Sequence, residues 1–298
     1  MAKAIVTMPP YAPFMDEVLR HPAVEGIRLN TVMPVSESLD DVISRMDSRA
    51  RHYGKDLWID LKCRQLRVKS FGVPPFTEIE LTHSIKVDTP VTAYFSNGKE
   101  SATVLKVNGN KLIMQDGPKR VIGPGESVNI PDPSLEVEGY FTDTDRRYIE
   151  AGLKSGCHNY ILSFVEFQED VDSLRRLDPL ANIVAKIESV KGLDYVENSS
   201  GCRLMAARGD LYVEVKYPHQ IIDAMESIVR KDPGAIVASR IFNSFERSLE
   251  PSCADIGDVD NMLRMGYRTV MFGDEICMQR DSVVSGLNLY RLMAERYK

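Results

Sequence analysis

Ionisable and amide side chains stand at the ends of four short apolar runs in this sequence of 298 residues. Burying such groups costs free energy unless they pair with one another or bind a ligand. An internal network of salt bridges would satisfy them, and that interpretation stays open. We favour a site for an anionic substrate held together with a divalent metal ion. The residues concerned are Arg28, Asn30, Asp60, Lys62, Lys186, Glu188 and Asp210.

Two carboxylates in this set suit a hard cation. Glu188 and Asp210 would supply two oxygen ligands and leave the other octahedral positions of Mg²⁺ (or Mn²⁺) to water and substrate. Lys186 lies two residues before Glu188, on the same side of a strand, and could stabilise an enolate or a transferring phosphoryl group. Arg28 could bind a phosphate or carboxylate through two of its nitrogens. Gly209 would let backbone N–H groups approach an anion closely.

The elements that would position these residues alternate between strand and helix. A βαβαβ order covers residues 4–62, with a helix predicted over 11–19, and the rhythm resumes after Pro133 with a strand predicted over 235–239. Eight strands and eight helices are the complement of a closed (β/α)₈ TIM barrel, an α/β fold whose active site lies where the strands end. An open doubly wound sheet is the alternative, but no GxGxxG motif follows the first strand.

Residues 65–133 have a different pattern. Short alternating runs of β-forming residues are separated by turn signals, among them Ser96-Asn97-Gly98 and Asp116-Gly117-Pro118. We predict a small β-rich lid domain inserted into the barrel, which would then consist of residues 1–64 and 134–298. A barrel loop tolerates an insertion whose two ends lie close together.

Composition excludes several classes of protein. The formal net charge is −6, with acids and bases interspersed, so there is no electrostatic footprint for nucleic acid. No apolar run approaches the roughly 18 residues that suggest a membrane span, and the N-terminus lacks the features of a secretory signal. The five cysteines form no CxxC pair and the five histidines no ligand pair. A cytoplasmic enzyme with reduced thiols is expected.

The same residues carry a resemblance to the pyruvate kinase family. The segment IVAKIES at 183–189 resembles that family's AKIEN strand, and LMAARGDLYVE at 204–214 resembles its MVARGDLGVE signature, the most specific match. GIRLN at 26–30 resembles ARLNFSHG, and IDLKCRQLR at 59–67 resembles DTKGPEIR. The resemblance covers essentially the whole chain in order. The family's regulatory C-terminal domain is expected to be absent.

The resemblance implies a glycolytic, Mg²⁺-dependent enzyme that transfers a phosphoryl group between phosphoenolpyruvate and a nucleotide through enolpyruvate. It implies that Lys186 supports phosphoryl transfer and that Glu188 and Asp210 are the metal ligands. Arg28 and Arg67 would bind phosphate, and further residues would complete the substrate site. These are Asn30, Lys62 and Gly209.

Ser239 stands where the family has a threonine at the enolate face, and it keeps a hydroxyl there. Other positions depart from the family. Val32 and Leu61 stand where a monovalent-cation site has two side-chain oxygens, so we expect no requirement for K⁺. On the nucleotide side, residues 97, 126 and 253 depart as well. They are an asparagine for an aspartate, a glutamate for a lysine and a cysteine for an arginine.

Three functions therefore stay open. The first is a pyruvate kinase-like phosphotransferase acting on phosphoenolpyruvate or a pyruvate-like acid with ADP or ATP. The second is a metal-dependent lyase, aldolase or other enolate-forming enzyme that acts on a 2-oxo acid without nucleotide. The third is a non-catalytic ligand-binding relative, against which the two carboxylates argue. The sequence leaves open whether the chain forms a homo-oligomer, and neither nucleic acid nor a membrane is expected as a partner.

Overall fold

Eight parallel strands close into a barrel in a computed structural model that describes residues 2–72, 78–115 and 117–297. The described residues form fifteen strands: β1 (Lys3–Thr7), β2 (Val24–Asn30), β3 (Asp56–Leu61), β4 (Glu78–Glu80), β5 (Ile85–Lys86), β6 (Val91–Phe95), β7 (Glu100–Asn108), β8 (Lys111–Met114), β9 (Val128–Asn129), β10 (Glu136–Val137), β11 (Asn159–Leu162), β12 (Asn182–Ile187), β13 (Arg203–Ala207), β14 (Ile236–Ala238) and β15 (Thr269–Phe272). The barrel runs β1-β2-β3-β11-β12-β13-β14-β15 and closes between β15 and β1. The predicted TIM barrel is confirmed.

Helices alternate with the barrel strands and cover them from outside. They are α1 (Met15–Arg20), α2 (Leu39–His52), α3 (Asp143–Ser155), α4 (Gln168–Leu177), α5 (Val190–Val196), α6 (Arg208–Glu214), α7 (Gln220–Lys231), α8 (Cys253–Met265), α9 (Asp274–Cys277) and α10 (Arg280–Ala294), with 3₁₀ turns at Asn243–Glu246 and Glu295–Tyr297. Local sequence sets their ends. Thr142 and Asp145 form a capping box at the start of α3, and Gly156 ends that helix in the left-handed conformation. No helix in the described part of the chain is long and apolar enough to cross a membrane.

Two hydrophobic layers hold the barrel together. Side chains that point inward from the strands fill its interior, including Ile5, Trp58, Val184 and Met205. A larger buried layer lies between the strands and the surrounding helices. The interior is therefore packed rather than hollow, and a ligand can reach the barrel only at the mouths of its loops.

The β-rich segment, residues 65–133, builds sheets of its own. A five-stranded antiparallel sheet has the order β4-β8-β7-β6-β9, and it encloses a separate hydrophobic cluster that includes Leu81, Phe95 and Val104. Strand β10 lies just beyond residue 133 and pairs with β5. Residues 73–77 and the turn predicted at Asp116 lie outside the described residues.

Three local differences from the sequence-based expectation concern the loops. The first helix begins at Met15 rather than at residue 11, because Pro13 disfavours helical backbone at the residue before it. Residues 208–214 form α6 directly after β13, where no helix was expected. Strand β14 ends at Ala238, because Ser239 has φ of 70°, a left-handed value that no strand accommodates.

Candidate active site at the carboxyl ends of the barrel strands

A buried carboxylate at the end of β3 organises the mouth of the barrel. Asp60 Oδ2 accepts hydrogen bonds from Arg28 Nε at 2.8 Å and from Lys62 Nζ at 2.9 Å, and it also contacts Arg28 Nη2. Lys186 Nζ lies 3.4 Å from Asp60 Oδ1. Burial alone would raise the pKa of Asp60, but the charges of Arg28, Lys186 and Lys62 outweigh burial and hold the pKa well below its usual range. One ionised carboxylate thus contacts three cations.

Lys62 is the weakest base of that cluster. Burial lowers its pKa to about 7, and the positive charges of Arg28 and Lys186 act in the same direction, against the attraction of Asp60. A group with this pKa gains a proton readily when a negative charge arrives. The lysine can therefore adjust its charge to an anionic ligand near neutral pH.

Arg28 contacts Asp60, Thr7 and Asp274. Asp274 also bonds Asn30. Arg28 Nη1 donates to Thr7 Oγ1 at 2.8 Å and lies 3.5 Å from Asp274 Oδ1. Asn30 Nδ2 donates to both oxygens of the same Asp274, at 3.0 and 2.9 Å. Sequence reasoning missed Thr7 and Asp274. Both could have been found by the rule applied to the other strands, since Thr7 ends β1 and Asp274 follows β15 by two residues.

The two predicted metal ligands lie at the ends of adjacent strands. Glu188 Oε1 is 3.2 Å from Lys186 Nζ, and Glu188 Oε2 accepts the backbone N–H of Phe164 at 2.9 Å. Burial is the main reason that the pKa of Glu188 is raised to about 7; Lys186 opposes the rise, and the charge of Asp210 adds to it. The electrostatic repulsion between the two carboxylates is the pattern expected where a cation would bind between them.

Asp210 is tied to the β-rich segment by two amides. Its Oδ2 accepts Gln65 Nε2 at 3.3 Å, and its Oδ1 accepts Asn129 Nδ2 at 3.2 Å. Gln65 in turn accepts Arg67 Nε at 3.1 Å and Arg67 Nη2 at 2.6 Å, while Arg67 Nη1 contacts the Gly125 carbonyl. These amide contacts carried no signal in the sequence, because the partners are far apart along the chain.

The donor set fits a magnesium ion. The described residues contain no group of three or more His, Cys, Asp or Glu side chains that could hold a metal. Mg²⁺ is commonly bound through one or two carboxylates, with water and substrate oxygens in the other positions. Glu188 and Asp210 provide that number, and each keeps lone pairs beyond the neutral donors that it already accepts.

Gly209 and Ser239 meet at the neighbouring edge of the mouth. A Cβ atom on Gly209 would lie 3.3 Å from Ser239 Oγ, so glycine permits this close approach. Ser239 and Arg240 both have positive φ, 70° and 55°, a conformation that costs free energy in non-glycine residues. Arg208 stabilises the loop: its Nη2 donates to the carbonyls of Ser239 at 2.8 Å and Arg240 at 3.0 Å. Arg208 also pairs with a carboxylate of α8, Asp258, at 2.7 Å.

In the β-rich segment, the two positions at which the resemblance implies nucleotide contacts, residues 97 and 126, bond other residues of that segment. Glu126 pairs with Arg120 at 2.6 Å and accepts hydrogen bonds from Ser96 Oγ at 2.6 Å and the Gly123 N–H at 2.8 Å. The hydrogen bond from Arg120 is the main reason that the pKa of Glu126 falls to about 2. Asn97 bonds the hydroxyl of Ser127. Cys253 is exposed at the start of α8.

Comparison with known proteins identifies the relatives of this chain. The family model described as "Pyruvate kinase, barrel domain" matches residues 76–279. The pyruvate kinase of Thermoplasma acidophilum is 28% identical over 302 residues, which cover 92% of this chain and 54% of that protein. The pyruvate kinase of Thermotoga maritima is 32% identical over 187 residues, 59% of this chain and 37% of that protein. The chain thus spans about half the length, or less, of these relatives.

Proposed function

Because this chain belongs to the pyruvate kinase family, we propose that it is a pyruvate kinase-like phosphotransferase. The proposed reaction moves a phosphoryl group between phosphoenolpyruvate and ADP or ATP through enolpyruvate, with Mg²⁺, in the glycolysis of the cytoplasm. Residues 65–133 would act as an inserted lid over the barrel formed by residues 1–64 and 134–298. The observation that carries the proposal is the cluster at the strand ends, where three cations contact Asp60 beside the Glu188–Asp210 pair.

The proposed chemistry assigns each part of that cluster a task. Glu188 and Asp210 would hold Mg²⁺, which supplies positive charge to the substrate oxygens when bound. Arg28, Lys62 and Arg67 would bind the phosphate. Arg28 would also keep Asp60 ionised. Lys186 would stabilise the charge that grows on the enolate oxygen as its bond to phosphorus breaks and a bond from phosphorus to the nucleotide oxygen forms.

Ser239 is proposed to act on the other reacting centre. The enolate that remains after phosphoryl transfer must take a proton at C3 to become pyruvate. The hydroxyl of Ser239 is held beside Gly209 by the loop that Arg208 braces, and it would face that carbon. Asn30, which bonds Asp274, would keep the neighbouring wall of the substrate site in place.

Phosphorus NMR tests the proposal directly. With phosphoenolpyruvate, ADP and Mg²⁺, the phosphoenolpyruvate resonance should decay while the γ-phosphate of ATP appears. Lys186→Met should abolish the change, whereas Lys154→Met, on the exposed face of α3, should not alter it. Binding of phosphoenolpyruvate without any transfer to ADP would contradict the phosphotransferase assignment.

One observation favours a second candidate, an enolate-forming lyase or aldolase that acts on a 2-oxo acid without nucleotide. Glu126, which stands where the family has a lysine, is engaged by Arg120 and Ser96. That contact leaves a carboxylate where a nucleotide phosphate would need a cation. Exchange of the pyruvate methyl protons for deuterium, followed by proton NMR with Mg²⁺ and no nucleotide, separates the two. Rapid exchange without any binding of ADP in calorimetry would support the second candidate.

A further inference from the structure

A second concave site lies between the β-rich segment and the barrel. The cavity has a volume of about 830 Å³, within the range typical of small-molecule sites. Residues 128–133 line one side, and residues 189–191 and 213–216 line the other. None of the four charged groups gathered at Asp60 borders this space, whereas Asn129, which bonds Asp210, does, so the cavity adjoins the candidate active site.

The walls of the cavity are largely apolar. Tyr94, Ile130 and Leu135 contribute from one side, and Phe164 and Val213 face them from the barrel. Phe167 also borders the cavity and is 53% exposed. Apolar surface of this kind favours a ligand with an aromatic or branched aliphatic body, since burying such a body removes both surfaces from water.

One carboxylate in the wall lacks a charged partner. Glu214 Oε1 accepts Asn129 Nδ2 at 3.1 Å, and Glu214 forms no ion pair with any described residue. The three bases of the lining are engaged elsewhere, and Lys216 Nζ lies 5.3 Å from the centre of the Tyr217 ring. Arg64 pairs with Asp170 at 2.6 Å, and Lys191 Nζ donates to the Leu135 carbonyl at 2.5 Å. Burial raises the pKa of Glu214 to about 8. A cation beside this carboxyl group would favour its ionised form, so the group is complementary to a positively charged ligand.

We propose that this cavity binds an organic cation, an ammonium group on an aromatic or branched aliphatic body, whose N–H groups bond the carboxylate of Glu214. Five acids, among them Asp132 and Asp194, and three bases line the cavity, and this excess of acids disfavours an anionic occupant. The proposal does not depend on which reaction the barrel catalyses.

Binding in the cavity would affect the candidate active site through one amide, that of Asn129. Asn129 Nδ2 donates both to Glu214, at 3.1 Å, and to Asp210, at 3.2 Å. A cation that bonds Glu214 therefore competes with Asn129 for this carboxylate. The same amide also bonds Asp210, a proposed metal ligand. Because coupling between two sites is reciprocal, metal or substrate at Asp210 would in turn change the affinity of the cavity.

Calorimetry with three shape-matched probes tests the cavity in the full chain at pH 8.5, above the Glu214 pKa of about 8, without substrate, nucleotide or metal. The probes are phenethylammonium, 2-phenylethanol and phenylacetate. We expect the ammonium to bind at least about tenfold more tightly than the alcohol, the ratio that one ion pair of about 1.4 kcal/mol provides, and phenylacetate to bind weakest. Glu214→Gln should abolish the difference between ammonium and alcohol. Glu226→Gln removes the same charge from an exposed position on α7 and should leave it intact.

Further variants and measurements complete the test. Glu214→Asp retains the charge and should retain the preference for ammonium, and circular dichroism checks that each variant is folded. Phe167→Ala should weaken the ammonium and the alcohol alike, because it removes apolar wall only. Hydrogen exchange should slow in residues 128–133 and 213–216 when phenethylammonium binds.

The proposal is overturned if ammonium and alcohol bind equally, if the preference survives Glu214→Gln, or if protection appears elsewhere in the chain. Because no phosphoenolpyruvate, nucleotide or Mg²⁺ is present, none of these results bears on the phosphotransferase assignment. A failure of phosphoryl transfer would likewise leave the cavity result unchanged.

Discussion

The charged clusters at Asp60 and Glu126 contain similar residues, but the first is buried and the second lies at the surface. At the mouth of the barrel, buried Asp60 contacts Arg28, Lys62 and Lys186, so one carboxylate faces three cations. In the β-rich segment, Glu126 and Arg120 form a pair at the surface, and Ser96 completes their hydrogen bonds. The second cluster is a closed pair. The first is a buried network in which Lys62, with a pKa of about 7, can gain a proton when an anionic ligand binds.

This difference indicates which half of the molecule is built for an anion. Buried charge is costly, and a protein retains an excess of it where a ligand or a metal offsets the cost. A balanced pair at the surface contributes little and needs no ligand. The barrel half therefore matches the phosphate and carboxylate chemistry of the proposed reaction, and the facing half matches it less well.

The largest expected effect is on stability, from removing the charge of Asp60. Asp60→Asn leaves Arg28, Lys62 and Lys186 buried without their common partner, so we expect the free energy of unfolding to fall by about 3–5 kcal/mol. Glu126→Gln, the corresponding change in the other cluster, should cost less than about 1 kcal/mol. Urea denaturation of both variants measures the two values. Equal losses of unfolding free energy in the two variants would show that the Asp60 cluster contributes no more to stability than the Glu126 cluster.

Lys186→Met is expected to affect catalysis rather than folding. The change keeps most of the aliphatic stem and removes the charge that faces the reacting oxygen, so turnover should fall by about 10²–10³-fold. The melting temperature should stay near that of the wild type, because Asp60 keeps two other cations and Glu188, with a pKa of about 7, can take up a proton. Both measurements should be made with Mg²⁺ and with a chelator. Full activity of the variant on its substrate would refute the proposed role of Lys186.

Lys62 should make stability depend on pH. Its pKa is about 7 in the folded protein, mainly through burial, and about 10.4 in an unfolded chain. The unfolded state therefore binds more protons between these values, and the penalty for burying Lys62 fades as pH rises through that window. The wild type should gain stability relative to Lys62→Met by up to about 1.4 kcal/mol per pH unit from pH 7 towards 10.

Denaturation at several pH values checks this, with Lys154→Met as the matched change at an exposed lysine. The same relative gain in the Lys154 variant would show that the slope has another source. Added phosphate should reduce the slope for the wild type, because an anion in the site favours protonated Lys62.

The smallest expected effect is that of K⁺. Neither Val32 nor Leu61 carries a side-chain oxygen, and the amide oxygen of Asn30 accepts the Val32 N–H at 3.4 Å. Turnover should therefore stay nearly unchanged when K⁺ replaces a bulky organic cation at constant ionic strength. A large rise in turnover with K⁺ would show that a monovalent cation finds other ligands in this site.

The sequence by itself determined the barrel and the outline of the candidate site. Alternating apolar runs and amphipathic stretches predict parallel strands with helical crossovers, because each element must bury one face against its neighbours. The spacing of Lys186 and Glu188 predicts a shared face of β12, since side chains on one side of a strand recur every second residue. Both patterns involve residues that are close together along the chain, so they can be recognised in the sequence alone.

Only the tertiary structure decided how these side chains are partnered. Asp60 joins cations from β2, β12 and the loop after β3, and Asp210 is bonded by amides of the β-rich segment; both depend on how distant strands close and how that segment lies on the barrel. The left-handed backbone of Ser239, whose carbonyl accepts a hydrogen bond from Arg208, could not be deduced from the residues beside it. Long-range hydrogen bonds and ion pairs leave no local sequence pattern, yet together with burial they shift the pKa values of Asp60, Lys62 and Glu188.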